Sequence, residues 1–258
     1  DDFPFAVTLT DQMDWGLSEQ DFEFATELDP QGCFILLDNS QKIGLVTTVN
    51  FGKIAWFGNL IVDKNQRNKG AGSTLASHAI KYLISKNVET VGLYAYTERI
   101  PFYTRLGFTP DSQFQVLKGK AFPTNPKTPV KQAGKEDLEK IMEFDRKCFG
   151  TSRRKMLEPI ITDSDNICQV LYENNQVTGY AVAKVYRGKA EFGPLMCTKK
   201  TLALDILKSV LNRLNGIEVS LFARAEENEI IATLKKEGFH ESFRVQTMFL
   251  GPDRRAHV

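Results

Sequence analysis

The sequence has no surplus of either charge sign. Lys and Arg total 33 and Asp and Glu total 32 in 258 residues, which leaves a formal net charge of +1. A chain with this balance has no overall field that would attract a phosphate backbone or an anionic lipid surface. We therefore expect neither nucleic acid nor a membrane as a partner.

Histidine and paired cysteine are scarce as well. There are only three histidines, and none of the four cysteines belongs to a Cys-x-x-Cys pair. Each cysteine has apolar neighbours, a pattern typical of small buried thiols in a reducing compartment. We therefore predict a cytoplasmic protein without a metal cofactor. The residues concerned are His78, His240, His257, Cys33, Cys148, Cys168 and Cys197.

Long apolar runs are also missing. No stretch approaches the ~20 apolar residues that a helix needs to span a bilayer. No basic segment followed by an apolar one opens the chain, which starts with Asp and not with Met. The content of 42% hydrophobic and 25% charged residues is that of an ordinary globular protein. The length favours one large or two small domains.

A proline-rich segment divides the chain near its middle. Its prolines stand at every third position, which suits an extended connector and cannot continue inside a helix. We predict one domain over residues 1–122, a linker over 123–130 and a second domain over 131–258.

Apolar periodicity before the linker predicts an α/β order of elements. In order, we expect a strand over 5–9, a helix over 18–28 with Ser18 as its N-cap, strands over 33–37, 42–50 and 54–62, a helix over 75–84, a strand over 90–95 and a short helix over 100–106.

The second half repeats this order, with three landmark pairs. The interval between the first two landmarks is 35 residues in the first half and 28 in the second. This indicates two copies of one α/β fold, of which only the first keeps a long basic loop. The pairs are Gly58-Asn59-Leu60 with Gly193-Pro194-Leu195, Leu93-Tyr94-Ala95 with Leu221-Phe222-Ala223, and Gly107-Phe108 with Gly238-Phe239.

That loop, Arg67-Asn68-Lys69-Gly70-Ala71-Gly72, follows an apolar strand and opens a helix. A helix start offers free backbone N–H groups and the positive end of the helix dipole. Glycine lets a ligand approach the backbone closely, and two basic residues add positive charge. The pattern predicts a pocket for a pyrophosphate. The spacings of a P-loop and of a dinucleotide fingerprint are both absent.

The chain resembles a known superfamily at this loop and beyond it. Ile61-Val62-Asp63 followed by residues 66–72 resembles the acetyl-CoA loop of the GNAT acetyltransferases. Phe102-Tyr103-x-x-Leu106-Gly107-Phe108 resembles their later helix with its tyrosine. Further segments are similar to the two-domain YitH-like subgroup: Asp14-Trp15-Gly16 with Asp21, Asp29-Pro30-x-Gly32-x-Phe34, Asp145-Arg146-x-x-Phe149-Gly150-x-x-Arg153 and Gly193-Pro194-Leu195.

The resemblance implies two tandem GNAT-like domains, each with a central mixed, mostly antiparallel sheet flanked by helices. It also implies an N-acetyltransferase that uses acetyl-CoA as co-substrate and has an amine acceptor, either a small molecule or a peptide. Tyr103 would lie beside the thioester sulfur as general acid, while Asp14 and Trp15 would contact the acceptor. The cofactor would be held by Leu60, Ile61, Val62, Arg67, Asn68, Lys69, Gly70, Ala71, Gly72 and Ser73.

The residue content agrees with direct transfer, which needs no covalent nucleophile. The sequence has no Gly-x-Ser-x-Gly motif, and a tyrosine hydroxyl suffices as the acid. Many GNAT members carry a Glu on the strand before the loop, but residues 54–62 contain no carboxylate. The base could be Asp63, Glu98, an acid on the first helices such as Asp21, or water.

Other assignments stay open or are weaker. The acceptor could be a polyamine, an amino acid, a sugar amine or a protein terminus. We interpret Tyr94 and Tyr96 as packing residues. Leu234 stands where the second copy would need a counterpart of Tyr103, so that copy lacks both loop and acid. The competing hypothesis is a catalytically inactive acyl-CoA-binding regulator.

Overall fold

A computed structural model of the chain describes residues 2–252, which contain eight α-helices and eleven β-strands. No helix within these residues is both long enough and apolar enough to cross a bilayer. The helices are α1 Phe3–Asp11, α2 Glu19–Leu28, α3 Ala71–Ser85, α4 Ile100–Arg105, α5 Leu138–Phe149, α6 Arg154–Thr162, α7 Lys200–Arg213 and α8 Asn228–Lys236. The strands are β1 Cys33–Asp38, β2 Gln41–Asn50, β3 Ile54–Val62, β4 Thr90–Tyr96, β5 Thr109–Lys120, β6 Lys131–Gln132, β7 Ile167–Glu173, β8 Gln176–Tyr186, β9 Lys189–Cys197, β10 Glu218–Arg224 and β11 His240–Leu250.

The described residues form two compact units. The first comprises 2–95, 99–110 and 248–252, and the second comprises 96–98 and 111–247. In the first unit the strand order is β1-β2-β3-β4, followed by the last residues of β11. In the second it is β11-β5-β10-β9-β8-β7-β6. Each half of the chain therefore supplies a strand segment to the unit built mainly from the other half. The division of the sequence into domains 1–122 and 131–258 stays a prediction.

Helices cover both faces of the sheet in the first unit. Because side chains alternate along a strand, Leu45 and Val46 point to opposite faces, as do Ile61 and Val62. Leu45 and Ile61 pack with α1 and α2, and we call this side the α1 face. Val46 and Val62 pack with α3 and α4 on the other side, the α3 face. The α3 face also buries Leu75, Ala76, Ala79, Leu83, Leu93, Ala95, Tyr103, Phe108 and Met248.

The strand predicted over residues 5–9 is wrong, because these residues lie in helix α1. Pro4 stands in the first turn of the helix, where its missing N–H costs nothing. The buried positions are Ala6, Leu9 and Thr10, which are three and four residues apart, as in a helix. A run of five mostly apolar residues is too short to separate a helical period from an alternating one.

Most other predicted elements of the first half are confirmed, the strand over 54–62 to the residue. The helix start at Ser18 is confirmed as well. The backbone N–H and the hydroxyl of Ser18 both donate to Asp21 Oδ2, at 2.9 and 2.8 Å.

Both copies carry a β-bulge at the first landmark, which supports the internal repeat. In β3 the bulge consists of Asn59 and Leu60, which lie opposite a single residue of β2. In β9 it consists of Gly193 and Pro194, opposite a single residue of β8. The bulges therefore align Asn59 with Gly193, whereas the sequence landmarks paired Gly58 with Gly193, a difference of one residue. Bulges at matching places indicate one ancestral strand.

The third landmark ends a helix in the same way in both copies. The landmark glycines have φ values of 93° and 91°, which a residue with a Cβ rarely adopts. The N–H of Phe108 then bonds the carbonyl of Tyr103 at 3.1 Å, and that of Phe239 bonds the carbonyl of Leu234 at 3.0 Å. This hydrogen bonding confirms Leu234 as the counterpart of Tyr103.

The proline-rich segment is held against α7. The side chain of Asn212 accepts from the N–H of Thr124 and donates to its carbonyl, at 2.6 and 2.8 Å. Asp205 accepts from the N–H groups of Lys127 and Thr128, both at 3.1 Å. The segment therefore belongs to the second unit and is not a free tether.

A buried ion pair explains the motif that runs from Asp145 to Arg153. The guanidinium of Arg153 bonds both carboxylate oxygens of Asp145, and the hydroxyl of Tyr180 donates to the same carboxylate. Arg153 also stacks on the ring of Phe149, 4.3 Å from its centroid. The motif therefore has a structural role inside the second unit.

We expect Asp145→Ala to lower the free energy of unfolding by about 3–5 kcal/mol, because it leaves a buried guanidinium unpaired. Urea unfolding followed by circular dichroism measures the loss. Glu143→Ala removes an exposed carboxylate of the same helix, ion-paired with Lys147, and serves as the control with an unchanged midpoint. An equal midpoint for both variants would contradict the structural role.

Candidate functional site

An opening in the sheet of the first unit begins where β3 and β4 stop pairing. Their parallel pairing ends at Trp56 and Gly92, although β3 runs on to Val62 and β4 to Tyr96. The carboxyl ends of the two strands therefore part. Crevices at the carboxyl ends of parallel strands are the usual ligand sites of open α/β sheets.

The N-terminus of α3 follows the carboxyl end of β3. Gly70 is its N-cap, with a φ of 88°, and the first backbone bond of the helix joins Thr74 N–H to Gly70 O at 3.0 Å. The N–H groups of Ala71, Gly72 and Ser73 have no acceptor within the helix, and all three residues are exposed or half-buried. Donors arranged in this way at the positive end of a helix dipole are suited to binding an anion.

Three elements meet at Gly72. A Cβ built there would lie 3.8 Å from Phe102 Cζ and 3.9 Å from Val62 Cγ2. The end of β3, the start of α3 and the helix that carries Tyr103 are therefore neighbours. The structure thus brings together the predicted loop and the element that carries the predicted acid.

The predicted residues on β3 occupy distinct positions. Leu60 belongs to the bulge and is half-buried, whereas Ile61 and Val62 are buried on opposite faces. Beyond Trp56 the β4-facing edge of β3 carries no pairing with β4. The backbone of the bulge region therefore lies at the opening.

The basic loop residues are not equivalent. Arg67 Nε donates to the carbonyl of Val62 at 2.9 Å, so this side chain ties the loop to the strand. Lys69 Nζ donates to Gln66 Oε1 at 3.0 Å and is exposed. Asn68, between them, is exposed and has a left-handed φ of 64°. Within residues 2–252 neither Arg67 nor Lys69 forms an ion pair, so their positive charge is uncompensated.

Tyr103 combines a buried ring with a reachable hydroxyl. It is 9% exposed, and its ring packs edge-on against Phe57, Phe102 and Phe108, with centroids 6.3, 5.0 and 5.9 Å away. Burial raises the pKa of Tyr103 to about 12. The hydroxyl has no hydrogen-bond partner among the described residues, yet it is not one of the fully buried unpartnered atoms. The hydroxyl therefore keeps some exposure, and its raised pKa leaves it protonated at neutral pH.

Two of the carboxylates considered as bases hold local structure. Asp63 Oδ1 accepts from the N–H of Asn65 at 2.8 Å, and this bond holds the pKa of Asp63 below its usual range. Asp21 accepts from Ser18 at the start of α2. Glu98 lies exposed in the turn before α4. No hydrogen bond between these carboxylates and Tyr103 exists in the described part of the chain.

The residues predicted to contact the acceptor follow α1. Asp14 is exposed with a φ of 54°, and Trp15 is half-buried against the cluster that contains Ile61. Trp15 therefore lies on the α1 face, whereas Tyr103 packs on the α3 face. The structure does not bring Asp14 or Trp15 into contact with Tyr103.

Two aromatic residues that the sequence did not assign to the site lie at the base of the opening. Tyr94 is 41% exposed, and its ring centroid lies 5.3 Å from that of Trp56. The alternation of Leu93, Tyr94 and Ala95 was the available signal, because it predicts an aromatic ring on the face opposite to the buried pair.

The second copy has a similar opening but a different helix start. The pairing of β9 with β10 ends at Phe192 and Leu221, before either strand ends. At the start of α7, Lys199 bonds both oxygens of Glu173 at 2.8 and 2.9 Å, and Lys200 pairs with Glu227 at 3.1 Å. Their charges are neutralised within the unit, unlike those of the first loop.

The scarce residue types form no cluster in the part of the chain that the structure describes. No group of three or more His, Cys, Asp or Glu that could hold a metal ion occurs within residues 2–252. All four cysteines are free thiols, and burial raises the pKa of Cys168 to about 12. His257 lies outside the described residues.

Comparison with family models gives two matches along the chain. Residues 4–108 match the acetyltransferase (GNAT) family, and residues 141–257 match a second acetyltransferase (GNAT) domain. The matched segments lie on either side of the proline-rich segment, as the internal repeat predicts.

Individual relatives span most of the chain. Holothin acyltransferase of Pseudoalteromonas sp. (strain SANK 73390) is 23% identical over 93% of this chain and 81% of its own length. The uncharacterised N-acetyltransferase YitH of Bacillus subtilis (strain 168) is 21% identical over 77% of this chain and 71% of its own. A crystal structure of a candidate acetyltransferase from Pyrococcus horikoshii covers 99% of this chain and 88% of its own, with a TM-score of 0.79 and 21% identity.

Proposed function

Since the chain belongs to the GNAT acetyltransferase superfamily and has two GNAT domains in tandem, we propose that it is an acetyl-CoA-dependent N-acetyltransferase. The acetyl group would pass directly from acetyl-CoA to an amine acceptor. The observation that carries it is the meeting of the α3 N-terminus, the end of β3 and the helix of Tyr103 at Gly72.

The residues at the opening fit acetyl-CoA. This co-substrate supplies an acetyl group as a thioester on a long arm that ends in a pyrophosphate. The free N–H groups of residues 71–73 would bind the pyrophosphate, and Lys69 would add an uncompensated charge. Gly72 leaves the helix start bare, so the backbone donors can be approached closely. The unpaired edge of β3 near Leu60 and Val62 would bond the amide groups of the arm.

Tyr103 would act where the carbon–sulfur bond breaks. In direct transfer a nitrogen–carbon bond forms as that bond breaks, and the sulfur takes up one proton while the amine loses one. With its pKa raised to about 12, Tyr103 holds its proton at neutral pH. Its hydroxyl would therefore donate to the sulfur as negative charge develops there. The proton of the amine would go to Asp63, to Glu98, to an acid of the first helices such as Asp21, or to water.

The acceptor is proposed to be a small-molecule or peptide amine. One relative is named for acyl transfer to holothin and another as an N-acetyltransferase, which supports acyl transfer to nitrogen. The test is release of free thiol from acetyl-CoA by the full chain with a panel of amines. Amine-dependent release supports the enzyme. If the chain binds acetyl-CoA but releases no thiol with any amine of the panel, the regulator is favoured instead.

We predict one acetyl-CoA per chain, because only the first copy offers free donors with uncompensated charge. The corresponding lysines of the second copy are paired with Glu173 and Glu227, and no glycine there brings the backbone close to a ligand. Isothermal titration calorimetry of the full chain should give a stoichiometry of one. Two equivalent sites per chain would contradict the prediction.

A further inference from the structure

An aromatic surface lies at the base of the opening on the α1 face. The rings of Trp56 and Tyr94 have centroids 5.3 Å apart, and Phe249 backs Trp56 at 6.0 Å. Gly92 makes this packing possible, since a Cβ there would lie 2.4 Å from Trp56 Cζ3. The indole therefore rests on the backbone of β4, and Tyr94 stands beside it.

The surface lies on the side of the sheet away from the loop. Ala55 and Phe57 pack on the α3 face, so Trp56 between them points to the α1 face, as does Tyr94. Trp56 is also the last residue of β3 that pairs with β4. A group held between the parted strands can therefore be reached from the aromatic side, while the phosphate donors and Tyr103 belong to the other face.

The same face has room beside the aromatic pair. Gly58, two residues beyond Trp56, carries no side chain, and a Cβ there would meet only Thr47 Oγ1 at 3.6 Å. Trp15, the predicted acceptor contact, packs on this face as well. Indole and phenol rings thus lie near Gly58, beside which Asn59 Nδ2 donates to Thr47 Oγ1 at 3.1 Å.

We propose that Trp56 and Tyr94 form the wall of the acceptor pocket and select an amine carried on a planar, apolar ring system. The inference rests on the proposed function and names its substrate class. Aromatic rings attract one another by offset or edge-on stacking at centroid distances of about 4.5–7 Å, so a ring on the acceptor would gain from lying against Trp56 and Tyr94. A polyamine would instead need carboxylates, and neither β3 nor β4 contains an acidic residue.

Three amines and two matched variants test the proposal. The wild-type chain is assayed by thiol release with 2-phenylethylamine, hexylamine and spermidine. We expect kcat/KM to be highest for 2-phenylethylamine. In Tyr94→Leu, the ratio of kcat/KM for 2-phenylethylamine to that for hexylamine should fall about tenfold, chiefly because KM for 2-phenylethylamine rises. Phe222→Leu removes the similarly exposed counterpart in the second copy, where Phe222 is 46% exposed, and should leave the ratio unchanged.

Tryptophan fluorescence gives a readout that does not depend on turnover. The chain has two tryptophans, so Trp15→Phe leaves Trp56 as the sole reporter. In the presence of CoA, increasing concentrations of 2-phenylethylamine should change the emission of Trp56 until the change saturates. Hexylamine at the same concentrations should leave the emission unchanged. Equal responses to both amines would overturn the inference.

The outcomes separate this inference from the proposed function. If no amine releases thiol, the proposed function fails. If hexylamine or spermidine is preferred, or if Tyr94→Leu and Phe222→Leu behave alike, the aromatic wall fails and the acetyltransferase stands. A preference for 2-phenylethylamine that Tyr94→Leu abolishes supports both.

Discussion

Replacing Tyr103 by phenylalanine should lower kcat by roughly 10²–10⁴-fold, the usual contribution of a positioned general acid. The ring would stay packed against Phe57, Phe102 and Phe108, because those contacts involve only its edge and face. Only the hydroxyl is lost, and it has no partner among the described residues whose loss would disturb the fold. Affinity for acetyl-CoA should therefore hardly change.

Steady-state kinetics and calorimetry on the same preparations measure the two quantities. Tyr82→Phe is the matched control. The hydroxyl of Tyr82 donates to Asp29 Oδ1 at 2.6 Å, and Tyr82 lies in the last turn of α3, at the opposite end of the helix from Gly72. This variant should retain the wild-type kcat. The raised pKa also predicts that deprotonation of Tyr103 causes no loss of activity below about pH 11. Lost affinity with preserved kcat would make Tyr103 a wall of the pocket.

Gly72→Glu should weaken acetyl-CoA binding by more than about 100-fold, or about 2.7 kcal/mol. The substitution places a carboxylate at the helix start that is proposed to bind a pyrophosphate, and like charges repel there. The backbone of Gly72 is helical, without a positive φ. The loss would therefore come from the site and not from a strained fold.

Gly72→Ala separates charge from the mere presence of a side chain. Its Cβ would make only ordinary contacts, at 3.8 Å to Phe102 and 3.9 Å to Val62. We expect a much smaller loss of affinity by calorimetry than for Gly72→Glu. Circular dichroism should show the native spectrum for both variants. Unchanged affinity in folded Gly72→Glu would remove the loop from the site.

The sequence predicted the local elements well where several signals coincided. The strand over 54–62 combines β-branched and aromatic residues with a following glycine loop, and its bounds are confirmed. Ser18 and Asp21 combine into a capping box that marks a helix start. Residues 5–9 offered only a short apolar run, so the period was assigned wrongly.

Tertiary properties of the site were outside the reach of local patterns. A basic residue in a phosphate loop suggests a ligand contact, but Arg67 bonds the carbonyl of Val62 and secures the strand end. Lys199 and Lys200 look equally basic in sequence, and only the structure shows Glu173 and Glu227 beside them. Which acids neutralise which lysines depends on strand and helix packing across long stretches of chain.

The exchange of strand segments has a consequence for synthesis of the protein. The core of the α3 face includes Met248, which is fully buried, and Leu250 packs against it. Residues 2–110 leave the ribosome first, but this core lacks its last members until residues 111–247 have followed. At about 5–20 residues per second, the wait is roughly 7–27 s. The unit that holds the Gly70–Gly72 loop is thus translated first, but its core is completed only when the end of β11 emerges.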